Sequence, residues 1–146
     1  MNISPNKLVI RRLLKHDRAQ VFSALTDPTK MAKWFYGMDT CQAKVIVDLR
    51  PGGNFEIGML NEKGEEEYKP HGAYLEIVPP ERLVFTWTAE GFVKDTKVVI
   101  ELFEQDGGTE LVLTHELPPE AIAPHQQGWT NCLIRLESYL GSGTKD

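Results

Sequence analysis

The stretch Asp48-Leu-Arg-Pro-Gly-Gly-Asn-Phe-Glu-Ile-Gly-Met59 decides how the rest of the chain is read. Adjacent glycines after an arginine suit a loop that cradles a phosphate, and they suit a tight turn between two strands. A nucleotide-binding loop needs GxxxxGK[ST] or GxGxxG between a strand and a helix. No Lys-Ser/Thr pair follows these glycines, and Asn54–Met59 reads as strand rather than helix. Pro51 and Gly52 fit positions i+1 and i+2 of a type II turn, in which Gly52 takes a positive φ. The stretch is therefore a hairpin corner. Phe55 and Ile57 become the first side chains of the following strand aimed at the interior.

Outward from this corner, strand follows strand between Ala43 and Glu116. The runs AKVIVDL, NFEIGML, EEYKPHGAYLEIV, RLVFTWT, TKVVIELFE and TELVLTHE are separated by RPGG, NEKGE, PPE, AEGFVKD and QDGG. Such short, turn-rich connections build an antiparallel meander, because parallel neighbours need long crossovers. Ahead of it, Lys7–Leu14 is an opening strand. Asp17 caps a short helix carrying Val21 and Leu25, which Pro28 stops, and Asp27 with Pro28 starts a second one running to Phe35. Behind it, His125, Trp129, Cys132, Leu133, Leu136 and Leu140 form one stripe of a long amphipathic helix. The order is one strand, two short helices, six strands and a long helix. Only that last helix is long and apolar enough to cover a face of the sheet.

The bulk numbers agree with one globular domain over 1–146, with 141–146 as a flexible tail. The chain has 146 residues, 41% hydrophobic and 25% charged, with a net charge of −5. A duplex-binding domain is ordinarily basic, so no nucleic-acid partner is expected. Cys41 and Cys132 stand apart without CxxC or metal-site spacing and read as unpaired thiols of a reducing cytoplasm. The N-terminal residues lack the apolar core and cleavage site of a signal peptide. No apolar run approaches the roughly 20 residues of a membrane span. A cytoplasmic location is the expectation.

Period-two alternation assigns faces. Leu111, Leu113 and His115 share one face of their strand; Leu83, Phe85 and Trp87 share another; Phe55, Ile57 and Met59 a third. His71, Ala73, Leu75 and Ile77 are expected inward, opposite Tyr74 and Glu76. His125 and Trp129 join them from the helix. A curved sheet that does not fill its interior would leave an apolar cleft with a few polar atoms, the usual make-up of a small-molecule site.

Five pieces in order carry a resemblance: VFSALTDPTKMAKWF, DLRPGGNFEI, HGAYLEIVPPERLVFTW, GGTELVLTHE and GWTNCLIRLESYL. Together they make the chain similar to the START-like (SRPBCC) superfamily, in the branch related to the activator of heat-shock-protein-90 ATPase. The resemblance implies an α+β helix-grip fold: a seven-stranded antiparallel sheet curved around the C-terminal helix, with a cavity between them. START-like relatives bind lipids, sterols or polyketides, some are enzymes, and others regulate protein partners. The branch's name brings with it a link to chaperones and stress response. No catalytic motif of the branch maps onto this chain.

The expected function is binding of a small hydrophobic or amphipathic molecule. Its candidate ligand-binding residues are Trp34, Phe35, Phe55, Ile57, His71, Trp87, Leu113, His115, His125, Trp129 and Leu133. Trp34 and Phe35 either gate one mouth of the cavity or simply pack helix on sheet. Trp87 and Trp129 offer large indole walls with one N–H donor each. Gly128 would let the helix approach the sheet or a ligand closely. The three histidines are polar handles or isolated core and rim residues. A shared zinc is disfavoured: in the strand order the resemblance implies, three strand steps of roughly 4.8 Å separate His71 from His115. Neither a metal nor a cofactor is expected. Cys132 reads as an inert small hydrophobe. Two rivals stand beside this reading. One is a protein-interaction or chaperone-regulating module, with a protein partner or weak homodimer on an outer face bearing Tyr68, Tyr74, Val99 and Phe103. The other is a cyclase- or hydrolase-type enzyme.

Overall fold

A computed structural model describes residues 6–37 and 39–142. Of the expected tail, 143–146 lie outside the described residues, while Gly141 and Ser142 form a turn after the last helix. The order of elements is β1 (Lys7–Leu14), α1 (Arg18–Thr26), α2 (Pro28–Met31), β2 (Gln42–Val47), β3 (Asn54–Leu60), β4 (Glu66–Tyr68), β5 (His71–Val78), β6 (Arg82–Ala89), β7 (Val93–Gln105), β8 (Gly108–Glu116) and α3 (Pro119–Leu140). Seven strands run in the order β1-β8-β7-β6-β5-β3-β2, and the short β4 adds to β3. All pairings are antiparallel. This is the helix-grip α+β architecture.

The corner between β2 and β3 is a turn of the expected kind. The Gly53 N–H donates to the Arg50 carbonyl at 2.8 Å, and Gly52 stands at φ 86°. Gly53 is required for another reason: a Cβ there would lie 2.1 Å from the Asp48 carbonyl oxygen. The corner also docks on β5, since Gly52 N–H donates to the Tyr74 carbonyl (2.8 Å) and Tyr74 N–H to the Gly53 carbonyl (2.9 Å).

At that point β5 departs from alternation. Tyr74 pairs with Phe85 and Glu76 with Val84, which leaves Leu75 as the extra residue of a β-bulge. Tyr74 therefore turns inward at 2% exposure and Leu75 outward at 50%. This reverses the expected facing of both, and Tyr74 leaves the outer face. A second interruption splits the run EEYKPHGAYLEIV into β4 and β5 at Lys69-Pro70. Proline has no N–H for the ladder, and only its carbonyl pairs, accepting from Ile57 N–H at 2.9 Å. Tyr68, half-buried against the core, also leaves the outer set, whereas Phe103 is exposed and Val99 partly so.

The helix caps follow the sequence. Asp17 accepts from Gln20 N–H at 2.8 Å, and Asp27 accepts from Thr29 N–H at 2.8 Å with Pro28 in the first turn. α2 is shorter than expected and stops at Met31. Bonds of i→i+3 type from Lys33 and Trp34 tighten the chain there, and the Trp34 indole N–H donates to the Ala24 carbonyl at 3.0 Å. α3 lies against the concave face of the sheet with Trp129, Cys132, Leu133 and Leu136 buried. Arg12 of β1 reaches Glu137 of α3 at 3.1 Å and fastens the far end.

Candidate functional site

Where α3 meets the open end of the sheet, residues from four directions surround a pocket of about 630 Å³. α3 contributes Pro124, His125, Gln127, Gly128, Trp129, Asn131 and Cys132. The bent edge from β3 to β5 contributes Met59 and the stretch from Glu66 to His71. The β6–β7 hairpin contributes Trp87, Ala89, Glu90 and Phe92, and Phe35 with Gly37 closes the remaining side. The floor is a stack of rings: Trp87 and Trp129 have centroids 5.0 Å apart, and Phe35 lies 6.0 Å and 5.6 Å from them. Below the floor only a void of about 20 Å³ remains, bordered by Trp34, Phe55, Ile57 and Leu133 among others. That is room for about one water, not for a ligand.

Behind the floor His115 is wholly buried, and its hydrogen bonds fix its tautomer. The Trp129 indole N–H donates to His115 Nδ1 at 3.0 Å, so Nδ1 is unprotonated and Nε2 carries the hydrogen. Nε2–H then donates to Thr96 Oγ1 at 2.8 Å, and the Thr96 hydroxyl donates to the Trp87 carbonyl at 2.7 Å. Each donor along this relay from Trp129 to the Trp87 carbonyl meets an acceptor. Burial, then the neighbouring His125, pushes the His115 pKa down to about 3. The two imidazoles stand edge to face with centroids 5.1 Å apart. His125 Nδ1–H donates to the Ala121 carbonyl at 2.9 Å, which leaves Nε2 as its acceptor. Burial lowers its pKa, and the backbone bond opposes that. His71 sits half-exposed at the rim, 3.2 Å from Glu90.

The Cys132 thiol donates to the Tyr36 carbonyl at 3.3 Å, and burial pushes its pKa up to about 12. Arg135 donates to the same carbonyl at 2.6 Å and lies 4.6 Å from the Tyr36 ring centroid. Among the described residues no three His, Cys, Asp or Glu side chains are grouped to hold a metal.

Of the residues singled out from sequence, Phe35, His71, Trp87, His125 and Trp129 come together around the pocket. Trp34, Phe55, Ile57 and Leu133 pack beneath its floor, and Leu113 and His115 are buried behind it at 0% exposure. Trp34 is itself fully buried, with its indole N–H held by the Ala24 carbonyl. Sequence reasoning missed Met59, Tyr68, Glu90 and Phe92 as pocket wall, and Thr96 as the partner of His115. The first four depend on strand ends and hairpin tips whose pairing no local pattern announces. Gly128 does not serve close packing: a Cβ there would meet nothing within 4 Å.

A curved antiparallel sheet that holds a long C-terminal helix, with an opening beside that helix, defines a START-like protein. More narrowly, the chain belongs to the family described as Activator of Hsp90 ATPase homolog 1-like protein, whose profile matches residues 15–141. No curated protein sequence matches it. Solved structures do. A Nitrosomonas europaea protein is 27% identical with a TM-score of 0.79, over 94% of this chain and 96% of that one. A Chromobacterium violaceum protein is 29% identical with a TM-score of 0.77, over 92% and 96%. CalU16 from Micromonospora echinospora is 28% identical with a TM-score of 0.74, over 93% and 76%. No helix of the described residues is long and apolar enough to cross a membrane.

Proposed function

We propose that the chain binds a small apolar or amphipathic molecule between α3 and the open end of the sheet. One observation carries the reading: a concavity of about 630 Å³ with an aromatic floor and a few polar groups at its edge. Small-molecule sites run from about 300 to 1,000 Å³ and are built in this way. Membership of a START-like family supports the same reading at the level of scaffold.

Gly128 supplies the test. Its missing side chain opens onto free space, so Gly128→Phe narrows the pocket without disturbing the sheet. Titration with Nile red, an uncharged fluorescent dye, should saturate at one molecule per chain in the native protein. The variant, equally folded by circular dichroism, should bind at least tenfold more weakly. Unsaturable binding, or binding indifferent to the substitution, would remove the pocket from consideration.

A further inference from the structure

Resting on that reading, we infer that Trp87 selects the ligand, its indole N–H taking an uncharged acceptor oxygen such as a ketone, amide or hydroxyl. The chain has three tryptophans. Two have their N–H groups engaged, Trp34 with the Ala24 carbonyl and Trp129 with His115 Nδ1. Trp87 is the third. Its Nε1 is shielded from solvent and has no hydrogen-bond partner, one of two such buried side-chain atoms among the described residues. The other, Arg18 Nε, belongs to a residue outside the pocket lining.

A buried donor left unpaired is destabilising, and an acceptor brought to it recovers that loss. Two nearby acceptors are already engaged. The Trp87 carbonyl is already bound to Thr96, and His115 has both nitrogens occupied. A ligand oxygen supplies that acceptor. Because the N–H is shielded, it is reached by a small movement of the ring stack, which places the oxygen inside the wall and the ligand's apolar body over Trp129 and Phe35.

The charge around the pocket decides what kind of oxygen this is. Glu66, Glu67 and Glu90 set three carboxylates in the lining against the single ammonium of Lys69, which lies 3.9 Å from Glu56. His125, its pKa lowered by burial, adds an acceptor rather than a positive charge. A carboxylate ligand would meet repulsion at the entrance and no cation at the floor. An uncharged oxygen meets neither difficulty.

Three probes with one ring body separate these terms: 2-acetylnaphthalene, 2-ethylnaphthalene and 2-naphthoate, measured by equilibrium dialysis. The acetyl compound should bind about three- to tenfold more tightly than the ethyl compound, the size of one net hydrogen bond, with the carboxylate weakest. Trp87→Phe keeps a ring in the wall and should erase the acetyl preference, bringing the acetyl and ethyl compounds to equal affinity. In the native protein, the Trp87 indole ¹H–¹⁵N signal should move downfield with the acetyl probe and not with the ethyl probe, a readout independent of whether the variant folds. Equal binding of acetyl and ethyl probes, an acetyl preference that survives Trp87→Phe, or a carboxylate that binds best would overturn the inference and leave the pocket standing. Failure of all three probes to bind the native protein would overturn both.

Discussion

Trp87 and Trp129 are the same residue type, 5.0 Å apart, yet their hydrogen-bonding states make them unequal. Trp129→Phe leaves His115 Nδ1 buried without its donor and should cost about 1–3 kcal/mol beyond the loss of packing. Trp87→Phe removes an N–H that has no partner, so it should be clearly milder. Urea unfolding of the two variants checks the ranking, and a Trp87→Phe cost equal to that of Trp129→Phe would contradict it. His115 makes a second prediction at this scale. Its folded pKa, about 3, lies below the ordinary 6.5, so between these values the unfolded chain binds a proton that the folded chain refuses. Stability therefore falls as the pH drops from about 6.5 toward 3, at up to about 1.4 kcal/mol per unit from this residue. His125 is shifted in the same direction and adds to the slope. Comparison with His115→Gln, which has no titrating group at that site, should show the native protein losing more stability between pH 7 and pH 5. Parallel curves would mean that His115 takes up its proton in the folded state.

At the scale of elements, the inward residues of β6 and β8 were legible in the sequence, and the bulge in β5 was not. In β6 and β8 the period places Leu83, Phe85, Trp87, Leu111, Leu113 and His115 on the buried face, and all six are buried, although Val84, Thr88 and Val112 beside them are buried as well. β5 alternates in sequence but carries a bulge, fixed by its pairing with the Pro51-Gly52 corner on one side and with β6 on the other. That conflict is tertiary, and nothing in HGAYLEIV alone reveals it. The two glycines that matter most to these elements should respond oppositely to alanine. At Gly72 a Cβ would lie 1.9 Å from the Thr86 carbonyl oxygen. Gly72→Ala must push β5 from β6 and should cost about 1–3 kcal/mol. At Gly128, within α3, a Cβ meets nothing. Gly128→Ala should stabilise the protein by about 1 kcal/mol through helix propensity, and a thermal melt of each variant decides the signs.

For the molecule as a whole, the sheet's curvature gathers five of the candidate residues around one opening and sends the other six into packing beneath or behind it. Periodicity identifies which side chains point inward. It does not say where along the helix the interior stops being filled, and that depends on how far the β6–β7 hairpin and the β4 edge extend past α3. The two thiols report on this arrangement without any substitution. Cys41 is exposed, whereas Cys132 is buried in the pocket wall with its pKa pushed up to about 12. In native buffer near pH 8 a disulfide reagent should titrate one thiol per chain quickly. The second should react only as the molecule opens, because the thiolate is the reactive form and burial suppresses it. An occupant of the pocket binds the folded chain alone, so at a hundred times its dissociation constant it should add about 2.7 kcal/mol to the unfolding free energy. When Cys132 reacts through global opening, its rate should then fall about a hundredfold while that of Cys41 stays unchanged. A Cys132 as fast as Cys41 in native buffer would show that the wall opens locally. A Cys132 slowed by urea-sensitive structure but indifferent to a saturating ligand would place that ligand somewhere other than on the folded chain.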